Sequence, residues 1–409
     1  MIPAPEAEKI ILDCVKTLDA EQDSEIVTLE TATGRVLAQD VASDIDFPYW
    51  DNSAMDGYAV RYADFANYDP DNPATLDIVE EIPAGYPPQK SLEPGQTARI
   101  FTGAMLPPGA DTIVIQENTK RDGDRVTVLA QPQAQQFIRY QGSYYQAGNT
   151  MLSAGSIIQE SDIAVLATAQ CTEFKVYRRP KVAILSTGDE LVTPGNPLQP
   201  GQIIDSNQYA LASFVARNGA IPIKLGIVRD SKEDLKNAIY QAISQADIVL
   251  STGGVSVGDY DYVDQILAEL GGQIHIRAVA VKPGKPLTVA TFDNGCLYFG
   301  IPGNPVSALV SCWRFVLPAL QKLSGQVPIH YPKFVSGITQ HPLKAGGKRE
   351  TYLWGNASII NGQYQFAIAG GSHQSANLIN LAQTNALAIV PLGEKLIPQG
   401  SEVTMMLIS

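Results

Sequence analysis

Residues 247–261 read Asp-Ile-Val-Leu-Ser-Thr-Gly-Gly-Val-Ser-Val-Gly-Asp-Tyr-Asp, residues 281–286 read Val-Lys-Pro-Gly-Lys-Pro, and residues 300–305 read Gly-Ile-Pro-Gly-Asn-Pro. In each case a short apolar run stops at glycines, small hydroxyl side chains or a charged residue. Buried parallel strands show this pattern where they deliver a polar loop to the carboxyl edge of a sheet. Ligands of open α/β sheets bind at that edge. The stretch therefore predicts a site for a metal and an anionic ligand.

The alternation of strands and helices extends outward from this stretch. It predicts strands at 182–185, 221–228, 248–250 and 296–299, helices near 207–218, 232–245, 260–270 and 305–323, and two more short strands within 274–292. Alternation at this spacing indicates βαβ units and a mainly parallel sheet with helices on both faces.

The flanking regions predict different structures. Apolar residues at helical spacing predict an amphipathic helix over 5–18. Residues 64–140 are rich in proline, glycine and short β segments, which favours hairpins and barrel-like packing. The basic, proline-ended string 177–180 suits a junction between domains, and the short strands predicted within 334–407 indicate a separate small β domain.

Composition excludes several classes of protein. The chain has 409 residues, 45% of them hydrophobic and 17% charged, which indicates a folded protein of several domains. Its net charge of −13 argues against nucleic acid or an acidic membrane surface as the general partner. No apolar run is long enough to cross a membrane, and the first residues lack the features of a signal peptide, so we expect a soluble cytoplasmic protein.

The cysteines are widely separated and include no Cys-x-x-Cys pair. Most of them lie in apolar surroundings, so we expect buried free thiols rather than disulfides or a zinc site. Their positions are Cys14, Cys171, Cys296 and Cys312.

Carboxylates follow several of the predicted strands. Asp189, Glu190, Asp230, Asp259 and Asp261 can converge on one rim of the sheet. Several carboxylates repel one another unless a hard cation lies among them, and Mg²⁺ takes one or two carboxylates with phosphate oxygens and water. The alternative is that these loops are ordinary helix caps and solvated turns.

Groups suited to an anion occur in the same region. The backbone amides of residues 251–254 can cradle an oxyanion, and Lys282 and Lys285 lie in a loop that two prolines and a glycine hold. The sequence shows no Ser/His/Asp or Cys/His arrangement, so chemistry that depends on charge and positioning around phosphate and Mg²⁺ fits best.

Two weaker signals lie nearer the amino terminus. Asp56 precedes a glycine at the entry to a predicted short strand, and Thr102-Gly103 directly follows another strand. A turn carboxylate can be a ligand or only part of a turn, and a hydroxyl after a strand can face a ligand.

Six motifs, taken together and in order, resemble those of the molybdopterin molybdenumtransferase family, which includes MoeA and the E domain of gephyrin. They are Asn-Ser-Ala-Met-Asp-Gly-Tyr-Ala-Val-Arg (52–61), Thr-Gly-Ala (102–104), Ser-Thr-Gly-Asp-Glu-Leu (186–191), Gly-Gly-Val-Ser-Val-Gly-Asp-Tyr-Asp (253–261), Lys-Pro-Gly-Lys-Pro (282–286) and Pro-Gly-Asn-Pro-Val-Ser (302–307).

The resemblance implies an elongated homodimer of four-domain chains. The expected fold class is multidomain α/β plus β: a central, mainly parallel α/β sheet domain of the molybdopterin-binding type, β-rich N-terminal domains and a small C-terminal β-barrel-like domain. The implied boundaries are 1–22 for a helix packing on the α/β domain, 23–43 with 148–179 for a linking domain, 44–147 for a β-rich insertion, 180–327 for the α/β domain and 328–409 for the β domain.

The implied reaction inserts molybdate into adenylated molybdopterin, with Mg²⁺-dependent release of AMP. The implied site lies between protomers, and the Asp56 motif faces the partner's α/β domain. Other implied partners are the adenylyltransferase that supplies the substrate and the apo-molybdoenzymes that receive the product.

By motif match, site residues fall into four groups. Those expected to line the reaction centre are Asp56, Thr102, Glu190, Asp230, Asp261 and Lys282. Those expected around Mg²⁺ are Glu190, Asp230, Asp259 and Asp261. Those expected near molybdate are Lys282, Lys285, Pro286, Arg349 and Ser372. Those expected along molybdopterin are Ser186, Thr187, Gly188, Asp205, Ser206, Asn207, Thr252, Gly253, Gly254, Ser256, Gly258, Pro302, Gly303, Asn304 and Pro305.

Three positions depart from common family patterns. The run after Gly142 is Ser-Tyr-Tyr, where many relatives carry an acidic residue, and Trp354 stands where an arginine is common. Ala278 replaces a common basic residue, with Arg277 beside it. Two alternatives stay open: the adenylyltransferase step, for which the α/β domain alone would suffice, and a non-catalytic molybdopterin-binding scaffold.

Overall fold

The computed structural model describes residues 1–253, 260–330 and 332–408, with the backbone but not the side chains of residues 260 and 261. The chain forms two compact units. The first comprises residues 1–39, 154–160 and 173–409, and the second comprises 40–153 and 161–172. Among the described residues, no helix is long and apolar enough to cross a bilayer.

An α/β sheet is the centre of the first unit. In the described chain its strands lie in the order Ile221–Val228, Lys181–Thr187, Ile248–Thr252, Leu297–Ile301, Pro286–Thr291 and Gln273–Ala278. The first four are parallel, and Pro286–Thr291 is antiparallel to its neighbours. Because the parallel strands are covered on both faces, they are continuous apolar runs rather than alternating ones.

Helices cover both faces of this sheet. They are Ala4–Cys14, Asn207–Arg217, Lys232–Gln245, Tyr260–Glu269, Pro305–Ser311 and Leu317–Leu323. Ser231 caps the third of these through a bond from the Asp234 amide at 3.1 Å, which satisfies one of the free N–H groups of the first turn.

The helix predicted over 305–323 is interrupted. A π-helical turn, Cys312–Val316, separates Pro305–Ser311 from Leu317–Leu323. Pro318 lacks an N–H and its ring crowds the carbonyl four residues earlier, which is a common cause of such interruptions. The N-terminal helix also ends earlier than predicted, at Cys14, where Lys322 Nζ donates to the Leu12 carbonyl at 2.7 Å.

A closed five-stranded barrel completes the first unit. Around the barrel the strands are Glu350–Ile360, Gln363–Ile368, Lys333–Thr339, Glu402–Leu407 and Ala386–Val390, and the last pairs again with the first. Its interior includes Leu353, Phe366 and Met405. The short strand Val281–Lys282 of the lysine loop adds to Glu350–Ile360 in parallel.

Small strand pairs and 3₁₀ turns make up the rest of the first unit. The pairs are Ser24–Thr28 with Glu173–Tyr177, Leu191–Val192 with Ile203–Ile204, and Leu343–Lys344 with Leu396–Ile397. The turns are Leu29–Thr31 and Ile379–Leu381.

The second unit is built on another sheet. In the described chain its strand order is Thr112–Ile115, Gly57–Val60, Gln96–Ile100, Thr75–Ile82, Arg125–Val128 and Thr119–Asp122. Two short pairs accompany it, Asn52–Ser53 with Ile138–Arg139 and Val41–Ala42 with Thr150–Leu152. The remaining elements are the 3₁₀ turns Tyr62–Phe65 and Gln116–Asn118 and the helix Glu160–Thr168. The first residue of this helix, Glu160, belongs to the first unit, and the others belong to the second.

The predicted fold class is confirmed: a mainly parallel α/β sheet is accompanied by β-rich regions and a small C-terminal barrel. The four cysteines are free thiols, as predicted, but only Cys296 and Cys312 are buried; the prediction of burial was wrong for Cys14 and Cys171, which are half-buried. The predicted domain boundaries stay a prediction.

Candidate functional site

The carboxyl ends of the parallel strands meet at one edge of the α/β sheet. Ser186 lies beside Thr252, and Thr252 lies beside Ile301, in parallel register. The loops that begin at Gly188, Gly253 and Pro302 therefore leave the sheet side by side. The structure thus brings together three of the predicted molybdopterin-binding segments.

These loops approach each other through their backbones. Gly253 has φ +85°, and a Cβ there would lie 2.3 Å from the Thr187 carbonyl oxygen. Thr187 Oγ1 donates to the Thr252 carbonyl at 3.3 Å, and Thr252 Oγ1 donates to Ser186 Oγ at 3.3 Å. Because these buried hydroxyls are used within the protein, a ligand here would meet mainly loop backbone.

Asp205 and Asn207 hold the second predicted segment in place. Asp205 is buried and accepts from the Gln208 amide at 3.2 Å, which satisfies one N–H in the first turn of helix Asn207–Arg217. Asn207 Nδ2 donates to the Gly303 carbonyl at 2.7 Å and so links this helix to the loop 302–305. Ser206, between them, is half-buried. Asn304 precedes helix Pro305–Ser311 as its N-cap residue.

Exposed carboxylates follow the carboxyl ends of the strands Lys181–Thr187 and Ile221–Val228. Asp189, Glu190 and Asp230 are all exposed, and the Asp230 amide approaches Asp189 Oδ1 at 3.4 Å. Gly188 has φ +149°, and a Cβ there would lie 2.5 Å from Glu190 Oε2. Glycine thus lets the Glu190 side chain fold across its own loop.

Several predicted residues cannot be placed. Gly254, Ser256, Gly258 and Asp259 lie outside the described residues, as does the Asp261 side chain, although the backbone of residue 261 belongs to helix Tyr260–Glu269. Among the described residues, no three His, Cys, Asp or Glu side chains form a ready metal cluster.

A parallel strand pair joins the loop that carries Lys282 to the segment that begins at Arg349. Lys282 lies beside Thr351, and Arg349 Nη1 donates to the Val281 carbonyl at 3.2 Å. Lys282 and Lys285 are exposed, whereas Arg349 and Pro286 are half-buried. Two predicted molybdate residues that are distant in sequence are therefore neighbours, and three cations lie on or beside this loop.

Ser372 lies in a loop that reaches the start of helix Pro305–Ser311. Asn377 and Asn380 donate to its carbonyl at 2.9 and 3.0 Å, and the Val306 amide donates to the Ser375 carbonyl at 3.3 Å. Trp354 Nε1 donates to Asn380 Oδ1 at 3.0 Å. Asn380 thus links the Ser372 loop to Trp354 of strand Glu350–Ile360, the strand that pairs with the lysine loop.

Trp354, one of the departures from the family pattern, has a structural role. Its side chain is fully buried and its ring lies 4.3 Å from that of His373. Arg277, beside the Ala278 departure, is paired with Asp264 at 2.6 Å. In the other unit, Tyr144 packs against Phe47 with ring centroids 5.8 Å apart.

In the second unit, Asp56 and Thr102 form a tight pair. Asp56 Oδ1 accepts from the Thr102 amide and from its hydroxyl, both at 2.7 Å. These bonds, first from the amide and then from the hydroxyl, lower the pKa of Asp56. The pair is at least partly accessible, so Asp56 offers an ionised carboxylate at the surface of its unit.

Sequence reasoning missed three residues that make hydrogen bonds around the predicted molybdate residues. Arg314 and Tyr352 are buried near the start of strand Glu350–Ile360, and Asn380 fixes the Ser372 loop. No local pattern marks them, because an aromatic residue in a strand resembles any core residue. A cleft of about 710 Å³ in the first unit, around residues 213–219 and Trp313, contains none of the predicted site residues.

A sheet edge with carboxylates on adjoining loops, together with cations on a loop that enters the same sheet, is typical of an α/β protein that binds an anionic ligand. Within that class, a family model described as a probable molybdopterin binding domain matches residues 183–322. Models of the MoeA N-terminal region (domain I and II) and the MoeA C-terminal region (domain IV) match residues 2–169 and 336–408.

Curated relatives match over nearly the whole chain. A molybdopterin molybdenumtransferase of Nostoc sp. is 56% identical over 399 residues, covering 97% of this chain and 92% of the relative. One of Haemophilus influenzae is 35% identical and covers 93% of both chains. The chain belongs to the molybdopterin molybdenumtransferase family, as its motifs predicted.

Solved structures agree with this assignment. A molybdopterin biosynthesis MoeA protein from Pyrococcus horikoshii is 29% identical, with a TM-score of 0.85 and full coverage of both chains. A molybdenum cofactor biosynthesis protein from Pyrococcus furiosus, 19% identical with a TM-score of 0.60, shares the fold.

Proposed function

We propose that this chain inserts molybdate into adenylated molybdopterin and releases AMP in an Mg²⁺-dependent reaction. It is a transferase of molybdenum cofactor biosynthesis, in keeping with its curated relatives. The observation that carries the finer proposal is the strand pair that joins the lysine loop to the segment that begins at Arg349, in a unit whose sheet edge is rich in carboxylates. A doubly charged oxyanion needs nearby cations, and a metal ion bound to phosphate needs carboxylates.

The cations bind molybdate. Lys282, Lys285 and Arg349 supply positive charge, and the Ser372 loop supplies polar groups. Arginine can bind an oxyanion through two parallel N–H groups, and lysine acts as a compact point charge. Together they hold molybdate where the dithiolene sulfurs of molybdopterin can reach it.

The strand-end loops bind molybdopterin and its phosphates. Gly188, Gly253 and Gly303 allow close approach of the backbone, and the loop amides can donate to phosphate oxygens. The second unit contributes Asp56 and Thr102. We place these two residues at the site of the partner protomer in a homodimer, which would complete the reaction centre.

The residues at the sheet edge suit Mg²⁺. Asp189, Glu190 and Asp230 offer hard oxygen donors on adjoining loops, and the predicted ligands also include Asp259 and Asp261. An ion held by one or two carboxylates together with substrate phosphate oxygens needs no ready cluster of three side chains. When bound, Mg²⁺ would supply positive charge that offsets the negative charge of the phosphate oxygens. A cytoplasmic location stays a prediction.

The test is to incubate the purified chain with adenylated molybdopterin, Mg²⁺ and molybdate, and to measure AMP. Molybdate-dependent release of AMP is the expected result. Formation of the adenylate from ATP would instead indicate the adenylyltransferase step, and neither activity would indicate a scaffold.

Asp261→Asn gives a sharper form of this test. The carboxamide has nearly the same size but no charge, so we expect AMP release to be lost while the dimer, measured by light scattering, stays intact. An unchanged rate of AMP release would remove Asp261 from the mechanism.

A further inference from the structure

A buried chain of hydrogen bonds lies directly behind the Lys282–Arg349 pair. Arg314 Nε donates to the Tyr352 hydroxyl at 3.0 Å, and this hydroxyl donates to Glu350 Oε1 at 2.5 Å. At the other end, Arg314 Nη1 donates to Glu8 Oε2 of the N-terminal helix at 2.5 Å. We name Arg314, Tyr352 and Glu350 the relay.

Two members of the relay are enclosed by the protein, and Glu350 is half-buried. Arg314 is only 4% exposed and Tyr352 is fully buried. Burial disfavours the charged form of Arg314, but Tyr352 and Glu8 outweigh that effect and raise its pKa. A buried guanidinium costs free energy unless hydrogen-bonded partners compensate, so its partners are held firmly.

The relay holds the strand segment that carries the cations. Glu350 and Tyr352 point to one side of the strand, and Arg349 and Thr351 point to the other, because side chains alternate along a strand. The Glu350 amide donates to the Ala280 carbonyl at 2.9 Å, and Lys282 lies beside Thr351. The relay thus contacts the face of the strand that is opposite to Arg349. It does so where the lysine loop pairs with the start of strand Glu350–Ile360.

The backbone around Arg314 also suggests that the relay has a functional role. It lies in the π-helical turn Cys312–Val316, which interrupts an otherwise α-helical segment. Such turns occur frequently at functional sites, because they shift the direction of the side chains that they carry.

We infer that Arg314, Tyr352 and Glu350 are positioning residues that hold Lys282 and Arg349 at the separation needed to bind molybdate. The inference rests on the proposed function, since it names what sets the geometry of that oxyanion site. The relay does not touch molybdate. Its loss therefore weakens molybdate binding and leaves the later chemistry intact once molybdate is saturating.

The test substitution is Tyr352→Phe, which keeps the ring and removes the hydroxyl that joins Arg314 to Glu350. Molybdate binding is measured by equilibrium dialysis with radioactive molybdate, and AMP release is measured against molybdate concentration. We expect the half-saturating molybdate concentration to rise about fivefold or more, with the maximal rate within about twofold of wild type.

Two variants of Glu350 cover the case in which Tyr352→Phe does not fold. Glu350→Gln keeps a hydrogen-bond acceptor for the Tyr352 hydroxyl, and Glu350→Ala removes it. We expect the half-saturating molybdate concentration to stay near wild type in the first and to rise in the second. Equal molybdate affinity in both Glu350 variants would overturn the inference.

Asp247→Asn is the matched control for a purely structural loss. It weakens a comparable ion pair, Arg178–Asp247 at 2.8 Å, at the amino end of strand Ile248–Thr252. We expect it to lower the melting temperature and to leave the molybdate dependence unchanged. If Tyr352→Phe does no more than this control, the relay is only structural. If wild-type protein neither binds molybdate nor releases AMP, the proposed function fails and the inference fails with it.

Discussion

At the scale of single residues, the environment of one carboxylate decides what it can do. Asp56 accepts two hydrogen bonds from Thr102, and its pKa is lowered by the amide first and the hydroxyl second. An ionised carboxylate held in this way suits the binding of a metal–phosphate group or a donor hydroxyl. It is a poor general base near neutral pH, because the two bonds lower the pKa of a group that is already acidic.

Thr102→Val should raise the pKa of Asp56, because the backbone bond stays and the hydroxyl bond is lost. The acid limb of the pH–rate profile for AMP release should then move to higher pH. A ¹³C NMR titration of the Asp56 carboxyl measures the shift directly.

Thr102→Ser is the control, since it keeps the hydroxyl and should leave the Asp56 titration close to wild type. If valine and serine gave the same titration, the hydroxyl would have no part in setting the charge of Asp56.

At the scale of elements, close backbone contacts explain several glycines of the motifs. Gly57 follows Asp56 and begins the strand Gly57–Val60, which lies between two antiparallel neighbours. A Cβ at this position would lie 2.1 Å from the Val114 carbonyl oxygen. The glycine is therefore needed for the strand itself, and the strand in turn presents Asp56.

Gly57→Ala should destabilise the second unit by about 3 kcal/mol, because a β-carbon cannot fit without moving the Val114 strand. Urea unfolding followed by circular dichroism measures the loss. Gly346→Ala is the control: a Cβ added at Gly346 would meet no other atom within 4 Å, so it should change stability by about 0.5 kcal/mol or less. Equal stability of the two variants would contradict the steric argument.

One arginine joins the amino ends of the strands Ser24–Thr28 and Ile248–Thr252. Arg178 bonds both Asp23 and Asp247, at 2.8 Å each. Burial disfavours the charged form of Asp247, but the bonds from Arg178 and the Lys181 amide outweigh it, so the pKa of Asp247 is lowered. A lowered folded-state pKa stabilises the protein above the unfolded pKa, and the contribution is lost as pH falls through the folded value.

Asp247→Asn should therefore cost about 2 kcal/mol at neutral pH, and the difference from wild type should shrink below about pH 4. Unfolding curves of both proteins between pH 7 and pH 3 measure this dependence. A difference that stayed constant across the range would rule out titration of Asp247 as its cause.

At the scale of the whole molecule, we propose that each reaction centre draws on residues from two protomers of a homodimer. Lys282, Arg349 and the strand-end loops belong to the first unit, and Asp56 and Thr102 belong to the second. In a homodimer with shared sites, each centre would combine the first unit of one protomer with the second unit of its partner.

Mixing two inactive variants tests this arrangement. Asp56→Asn and Asp261→Asn homodimers should each be inactive, but a heterodimer would contain one centre with both carboxylates intact. Random exchange in an equal mixture should restore about a quarter of wild-type AMP release, because half of the dimers are mixed and each has one intact centre. Continued inactivity after confirmed subunit exchange would show that both carboxylates act from the same chain.

Much of the fold was predictable from local patterns. Continuous β-branched runs identified the strands near Val182 and Ile248, and helical periodicity identified the helices between them, since both signals depend only on neighbouring residues. The π-helical turn at Cys312–Val316 was not predicted, because the residues around it remain as apolar as those of an ordinary buried helix.

The sequence by itself determined the fold class, the strand-end loops with their carboxylates and lysines, and the family. Only the tertiary structure decided that Arg349 bonds the lysine loop at the Val281 carbonyl, that Asn380 holds the Ser372 loop, and that Arg314 reaches Tyr352 across 38 residues of chain. The physical reason is the range of the contacts. Periodicity reports which side chains face the core, whereas the pairing of distant strands and buried polar groups depends on how the assembled elements pack.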